Sequence, residues 1–303
     1  MASGRPLPLR RGLRPAVRRC AAVALALLAI SVARALAEDS PPPSAPRAVT
    51  WSELHFAARK LGISAAIVVR LSPGVEPAPG RAGRDLILES TTHLPGRTFV
   101  AREVLDPATS GAREIIDTET GLKRHRKTYA LSDGGYELDI REPASMREML
   151  LPPERWTRES RSFTDYPAAL PAGSVVTGPA GLLVVAAAAD LSSVGAGVTA
   201  FALVQTQVER VTMRVDGGAQ ADLDFEEEWA GTRTVVHERR RVERLVVHGV
   251  PIDTTSASLF RLFGLEGDVT ILWDPVHRLP VELAGQVRML GHVVVHLVSV
   301  TLR

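Results

Sequence analysis

Asp222, Asp224, Glu226 and Glu228 place four carboxylates at alternating positions of one segment. On a β-strand alternate side chains share a face, so neighbours in this row stand about 6.6 Å apart, a separation at which paired carboxylates can cleave a glycosidic bond or share a calcium ion. A structural reading competes with it. Arg239, Arg240, Arg241 and Arg244 follow a turn at Ala230-Gly231, and an acidic strand folded back on a basic one forms cross-strand ion pairs. The structural reading is favoured. His292 and His296 share a face on either a helix or a strand, but in a Val-rich strand their backbones lie about 13 Å apart, too far to grip one zinc ion unaided. His237 and His248 could approach them only if the right strands pair, and isolated strand histidines are the simpler account. Gly195-x-Gly197-x-x-Ala200 imitates a dinucleotide-binding loop, which needs a strand before it and a helix after it. The following Thr199 to Val215 is rich in Val and Thr and reads as a strand. Gly62-x-Ser64-x-Ala66 imitates a nucleophile elbow with its elements in reverse order, a helix ending and a strand beginning. Phosphate loops of the Walker type and paired-His zinc-protease helices are absent from the sequence.

The elements that would hold these residues are mostly strands. Thr50 stands three residues before Glu53 in capping-box spacing, and Leu54, Ala57, Ala58 and Leu61 form one apolar stripe, which predicts a helix of about three turns ended by Gly62. Beyond it the period becomes two. Ile63 to Leu71, Asp85 to Ser90 and Thr98 to Leu105 are strands punctuated by Gly or Pro. Lys123 to Leu131 and Tyr136 to Arg141 flank Ser132-Asp133-Gly134-Gly135, a hairpin signal. Pro143 to Pro179 carries six prolines and reads as a long connection, with a short helix at Ser145 to Leu150. Gly181 to Ala189 is apolar throughout and predicts a buried helix or strand. Val211, Met213 and Val215 alternate with polar neighbours, as do Leu223, Phe225 and Trp229, and then Leu279, Val281, Leu283, Val287 and Met289. Half-buried strands of this kind belong to antiparallel sheets. Gly291 to Leu302 is apolar on both faces, which predicts a central, doubly covered strand. No fixed-period repeat and no βαβ alternation is visible. The fold class is therefore mainly β: a curved antiparallel sheet or half-barrel with one or two packed helices, in a single domain over 49–303.

The first 37 residues read as an export signal. Six arginines from Arg5 to Arg19 precede an apolar run from Cys20 to Ala33 and then Ala35-Leu36-Ala37, so the spacing predicts cleavage after Ala37. The run is shorter than the roughly 20 residues that a membrane-spanning helix requires, so no transmembrane span is expected after processing. Arg10-Arg11 is compatible with twin-arginine export as well as with ordinary secretion. Residues 38–48, with Pro41-Pro42-Pro43 and Pro46, read as a linker. Removal of the signal reverses the charge: the chain has 36 basic and 34 acidic residues, the signal holds seven Arg and no acid, and 29 against 34 leaves −5. An acidic mature surface gives no reason to invoke nucleic acid. Cys20 is the one cysteine and leaves with the signal, which excludes disulfides and Cys-ligated metals from the mature chain. No cofactor is implied.

Ile271-Leu272-Trp273-Asp274, Arg278-Leu279-Pro280-Val281 and Gln286-Val287-Arg288 together resemble the closing hairpin of an uncharacterised family of bacterial periplasmic domains. Asp117-Thr118-Glu119-Thr120-Gly121-Leu122, followed by Lys127, Tyr129 and Gly134, is similar to that family's central hairpins. Such domains are similar in plan to the lipoprotein-carrier (Lol-type) half-barrels, in which a curved sheet wraps a helical plug around an apolar cavity. The resemblance implies an envelope location, periplasmic or secreted, and a sheet with a concave side; it implies no activity. Abundant inward aliphatic positions without a convergent acid-base set point to a non-enzymatic binding or carrier module for an apolar, lipid-like ligand, lined by Val211, Met213, Val215, Leu279, Val281, Leu283, Val287 and Met289. Two alternatives stand beside it: a scaffold or assembly factor that offers a sheet edge to another envelope protein, and a hydrolase using the Asp222 to Glu228 row.

Overall fold

The computed structural model describes residues 48–77, 84–121, 123–253, 259–288 and 290–303. The expected signal and all but the last residue of the linker lie outside them, as does Met289. The described chain is mainly β. In order it runs β1 (Trp51–Lys60), β2 (Ile63–Pro77), β3 (Arg84–Leu94), β4 (Arg97–Leu105), β5 (Ala112–Gly121), β6 (His125–Leu131), β7 (Gly135–Glu142), β8 (Arg158–Asp165) and β9 (Val176–Thr177). Helix α1 (Gly181–Ala188) follows, then β10 (Gly197–Val204), β11 (Gln207–Trp229), β12 (Thr232–Pro251), β13 (Arg261–Leu262), β14 (Leu265–Asp274), β15 (Leu279–Val287) and β16 (Gly291–Leu302).

These sixteen strands form one sheet in the order β8-β7-β6-β5-β4-β3-β2-β1-β16-β15-β14-β12-β11-β10-β9, with β13 attached to β14. Most neighbours are antiparallel; β9 with β10 and β11 with β16 are parallel, so the sheet is mixed. The pairing of Glu226, Glu227 and Glu228 with Ser299, Val300 and Thr301 closes β11, β12, β14, β15 and β16 into a ring. The rest of the sheet curls as well. The Tyr136 hydroxyl of β7 donates to the Thr206 carbonyl in the β10–β11 turn at 2.8 Å, although the two strands are far apart in the sheet order. The concave side so formed is packed: one core runs from Trp51 and Leu54 through Leu88, Ile115 and Tyr129 to Met213, Leu245, Ile271 and Leu297.

Helix α1 sits in that core. Gly181, Leu182, Leu183, Val184, Ala186 and Ala187 are buried, as an apolar octet with no polar stripe must be. The sequence left helix and strand open here; the segment is a helix.

Three expectations are corrected. The segment after Thr50 is strand β1, not a helix. Leu54, Phe56 and Ala58 are buried in strand alternation, and Leu61-Gly62, with φ of 52° and 78°, is a two-residue hairpin turn whose twist matches the strands it joins. The stripe Leu54, Ala57, Ala58, Leu61 is thus coincidental, and Leu61 is 82% exposed. The Pro-rich connection contains β8, which pairs with β7 from Gly135↔Asp165 to Glu142↔Arg158. All eight of its residues are exposed, so no hydrophobic alternation marks it. Finally, β16 is central but covered on one side: Val293, Val295 and Leu297 are buried while His292, His296 and Val298 face outward.

Candidate functional site

The acidic row lies on β11 and faces the strand it was expected to face. Asp222, Asp224 and Glu228 stand opposite Arg239, His237 and Arg233, at 3.8, 3.5 and 2.9 Å between charged groups. The side chains of Asp222 and Asp224 are 85% and 77% exposed. Catalytic carboxylate pairs depend on burial or tight juxtaposition, and these project into water. The other arginines disperse: Arg244 bonds Asp216 at 2.7 Å, and Arg240 bonds Asp274 at 2.6 Å. Asp274 is fully buried. Burial works against its ionisation, but bonds from His277 and the Val276 amide, with the Arg240 charge, hold its carboxyl below the usual range.

The histidines do not converge. His296 bonds Glu282 at 3.2 Å, His248 pairs with Asp268 and His237 with Asp224. Among the described residues no group of three or more His, Cys, Asp or Glu is placed to hold a metal ion. Gly197 begins β10 directly, so Gly195 to Ala200 has no helix behind it. Ser64 follows the Leu61-Gly62 hairpin turn.

Of the eight apolar residues expected to line a ligand site, Val211, Met213, Val215, Leu279, Val281 and Leu283 are brought together in the core, and Val287 packs against it half-buried. The concave space they face is shared with α1.

What holds α1 there is a residue that sequence reading missed. Glu103 of β4 is 1% exposed. Its two carboxylate oxygens accept the amides of Ala180 and Gly181, each at 2.9 Å, satisfying donors that a helix start leaves unpaired. Burial pushes its carboxyl up to about 8, against the opposing effect of those amides. The strand neighbours continue the polar theme. Burial raises half-buried Asp117 to about 6, with the charge of cross-strand Lys127 opposing. The Tyr129 hydroxyl is buried with no hydrogen-bond partner among the described residues. The one signal for this cluster was parity: Ala101, Glu103 and Leu105 share the inward face of β4, and an acid there demands a partner.

Two open surfaces stand out among the described residues. The first is the outer edge of β8, the end of the sheet order. Its register with β7 runs over eight consecutive pairs without a bulge, so its outer backbone groups form a regular ladder that no strand pairs with among the described residues. The second is an outward trough of about 1020 Å³ formed by β1, β2, β16 and the β3–β4 turn. Its floor is small: Ala57 pairs with His296 on one side and with Ala66 on the other, and Ala66 pairs with His93. Arg59, Lys60 and His292 stand at its turn end, and no carboxylate is among its lining residues. The Lys60 ammonium donates to the His292 carbonyl.

No helix among the described residues is long and apolar enough to cross a membrane. A scan against protein-family models finds no match to this chain, and searches of curated proteins and of solved structures find none either.

Proposed function

We propose that this protein is a non-enzymatic docking module of the bacterial cell envelope that binds another envelope protein along the free edge of its sheet. The observation that carries this reading is β8: an eight-residue, unbulged edge strand, exposed along its whole length. Such an edge offers backbone donors and acceptors to an added strand. Arg158, Glu159, Arg161 and Asp165 restrict which strand that is, because like charges placed opposite one another repel. A photo-crosslinking residue in place of Ser162, with one in place of exposed Thr234 as control, tests it in intact cells. A single discrete protein adduct at position 162 and not at 234 is expected; no protein adduct at 162 defeats the proposal.

A carrier for an apolar, lipid-like ligand is the second reading. One observation favours it: α1 is aliphatic around its whole circumference, so its departure would uncover an apolar concave surface able to take acyl chains by area burial. That reading requires α1 to leave the space it fills. Mass spectrometry of an organic extract of freshly purified protein decides, and absence of stoichiometric lipid removes it.

A further inference from the structure

The outward trough combines an apolar floor with charge of one sign. Its floor is apolar and flat because Ala57 and Ala66 stand where longer side chains flank them in the same cross-strand row. With strands about 4.8 Å apart, the flanking His93 and His296 are about 14 Å from each other, leaving a channel two strands wide. The charge is one-signed. Arg59 and Lys60 join three histidines around the trough, and no acid lines it, in a mature chain expected to carry net negative charge. Arg59 makes no hydrogen bond or ion pair among the described residues, so its charge is not committed to the fold. Glu282 pairs with His296 at 3.2 Å and belongs with Asp222 and Asp224 to a separate depression. His296 is therefore the boundary between a basic and an acidic region.

We infer that this trough is a second docking site, for an extended acidic segment of the protein partner, a step that rests on the docking role proposed above. Charge complementarity selects an acidic ligand. Shape selects a slender polypeptide. Small-molecule sites bury most of their ligand, and this channel is open to solvent along its length. A bilayer surface meets a protein at protruding groups, whereas the Ala57-Ala66 floor is recessed between flanking side chains. An extended segment with carboxylates on one side and small apolar residues on the other meets floor and rim together.

The test uses the full chain in intact cells, with a photo-crosslinking residue in place of Ser64, which lines the trough, compared with one in place of Ser162 on β8. The crosslinked peptide is sequenced by mass spectrometry. The expected result is a segment at least one-third Asp and Glu, with adduct yield at position 64 falling at least fivefold in Arg59→Glu while yield at 162 is unchanged. Lys60→Glu is the independent second variant, and thermal midpoints equal to the parent's show that each variant folds. A neutral or basic segment, a lipid-only adduct, or yield at 64 that ignores both charge reversals overturns the inference. An adduct at 162 with none at 64 defeats this site alone, while none at either position defeats the docking role as well.

Discussion

Glu103 shows how one side chain couples charge to architecture. Its carboxylate would be best solvated in water, yet it stands inside the sheet because α1 begins there and two helix-start amides need acceptors. Burial wins over those bonds and raises its pKa from 4.5 to about 8. Between these values the folded state holds a proton that the unfolded chain has released. By linkage, the stability this group contributes is fully present below about pH 4.5 and is lost as pH rises through 8. Asp117, raised to about 6, acts with the same sign over a narrower window. His125, lowered chiefly by burial, has the opposite sign, favouring the fold when neutral and losing stability as pH falls. The Glu103 contribution is therefore read as a difference between proteins. Glu103→Gln, which keeps one acceptor oxygen but cannot ionise, should lose less stability than the parent between pH 5 and pH 8. Urea midpoints of the two proteins at those pH values check this, and parallel pH dependences would show that Glu103 does not titrate in the window.

At the scale of elements, α1 is instructive because it is too short to be stable alone. Isolated helices below about 12 residues do not persist in water, and this one has eight. Its existence comes from packing and from the carboxylate at its start. Gly181 invites improvement only if propensity is considered by itself, since Ala is better than Gly in a helix by about 1 kcal/mol. A methyl group at this position, however, would meet the Thr177 hydroxyl at 2.1 Å and a Glu103 oxygen at 2.7 Å. Both neighbours are buried and neither can swing into solvent. Gly181→Ala is therefore expected to destabilise by about 1–3 kcal/mol, the range of core overpacking. A denaturant midpoint at or above the parent's would show that the contact relaxes freely. Gly178, whose added methyl would stand 2.3 Å from the Glu103 carboxyl carbon, is subject to the same constraint.

For the whole molecule, the decisive event is the return of β11 to β16. The long β11–β12 ribbon extends beyond its partners in the sheet, and three parallel pairs bring its end back to close the ring. Leu223 and Phe225 are buried beneath that closure, at 5% and 4% exposure, whereas Trp229 at the tip is 63% exposed. Phe225→Ala should cost about 3–5 kcal/mol and speed hydrogen exchange across residues 222–239 before the rest of the sheet. Trp229→Ala should stay within about 0.5 kcal/mol of the parent, as surface changes do. Equal costs for the two substitutions would mean that the ring is not a stabilising unit. The acidic row is structural for a more local reason, the turn at Ala230-Gly231 that folds β12 back on β11. Within the ribbon, the β11–β12 hairpin sets three of the four carboxylates opposite Arg233, His237 and Arg239 on the return strand.

The mainly β class was legible because two-residue periodicity is written locally: Val211-Met213-Val215 and Leu223-Phe225 alternate in the chain as they do in the sheet. The Ala230-Gly231 turn and the acidic-on-basic hairpin were legible for the same reason. Strand β1 was misread because Leu54, Ala57, Ala58 and Leu61 satisfy helical spacing while Leu54, Phe56 and Ala58 satisfy strand spacing, and only the partners β2 and β16 decide between them. Edge strand β8 was invisible because a strand with both faces in water needs no apolar alternation. Glu103, the Ala57–Ala66 floor and its flanking histidines are assembled from residues separated by up to hundreds of positions. Proximity of that kind is a property of register and sheet order, which local patterns do not encode and the folded sheet alone determines.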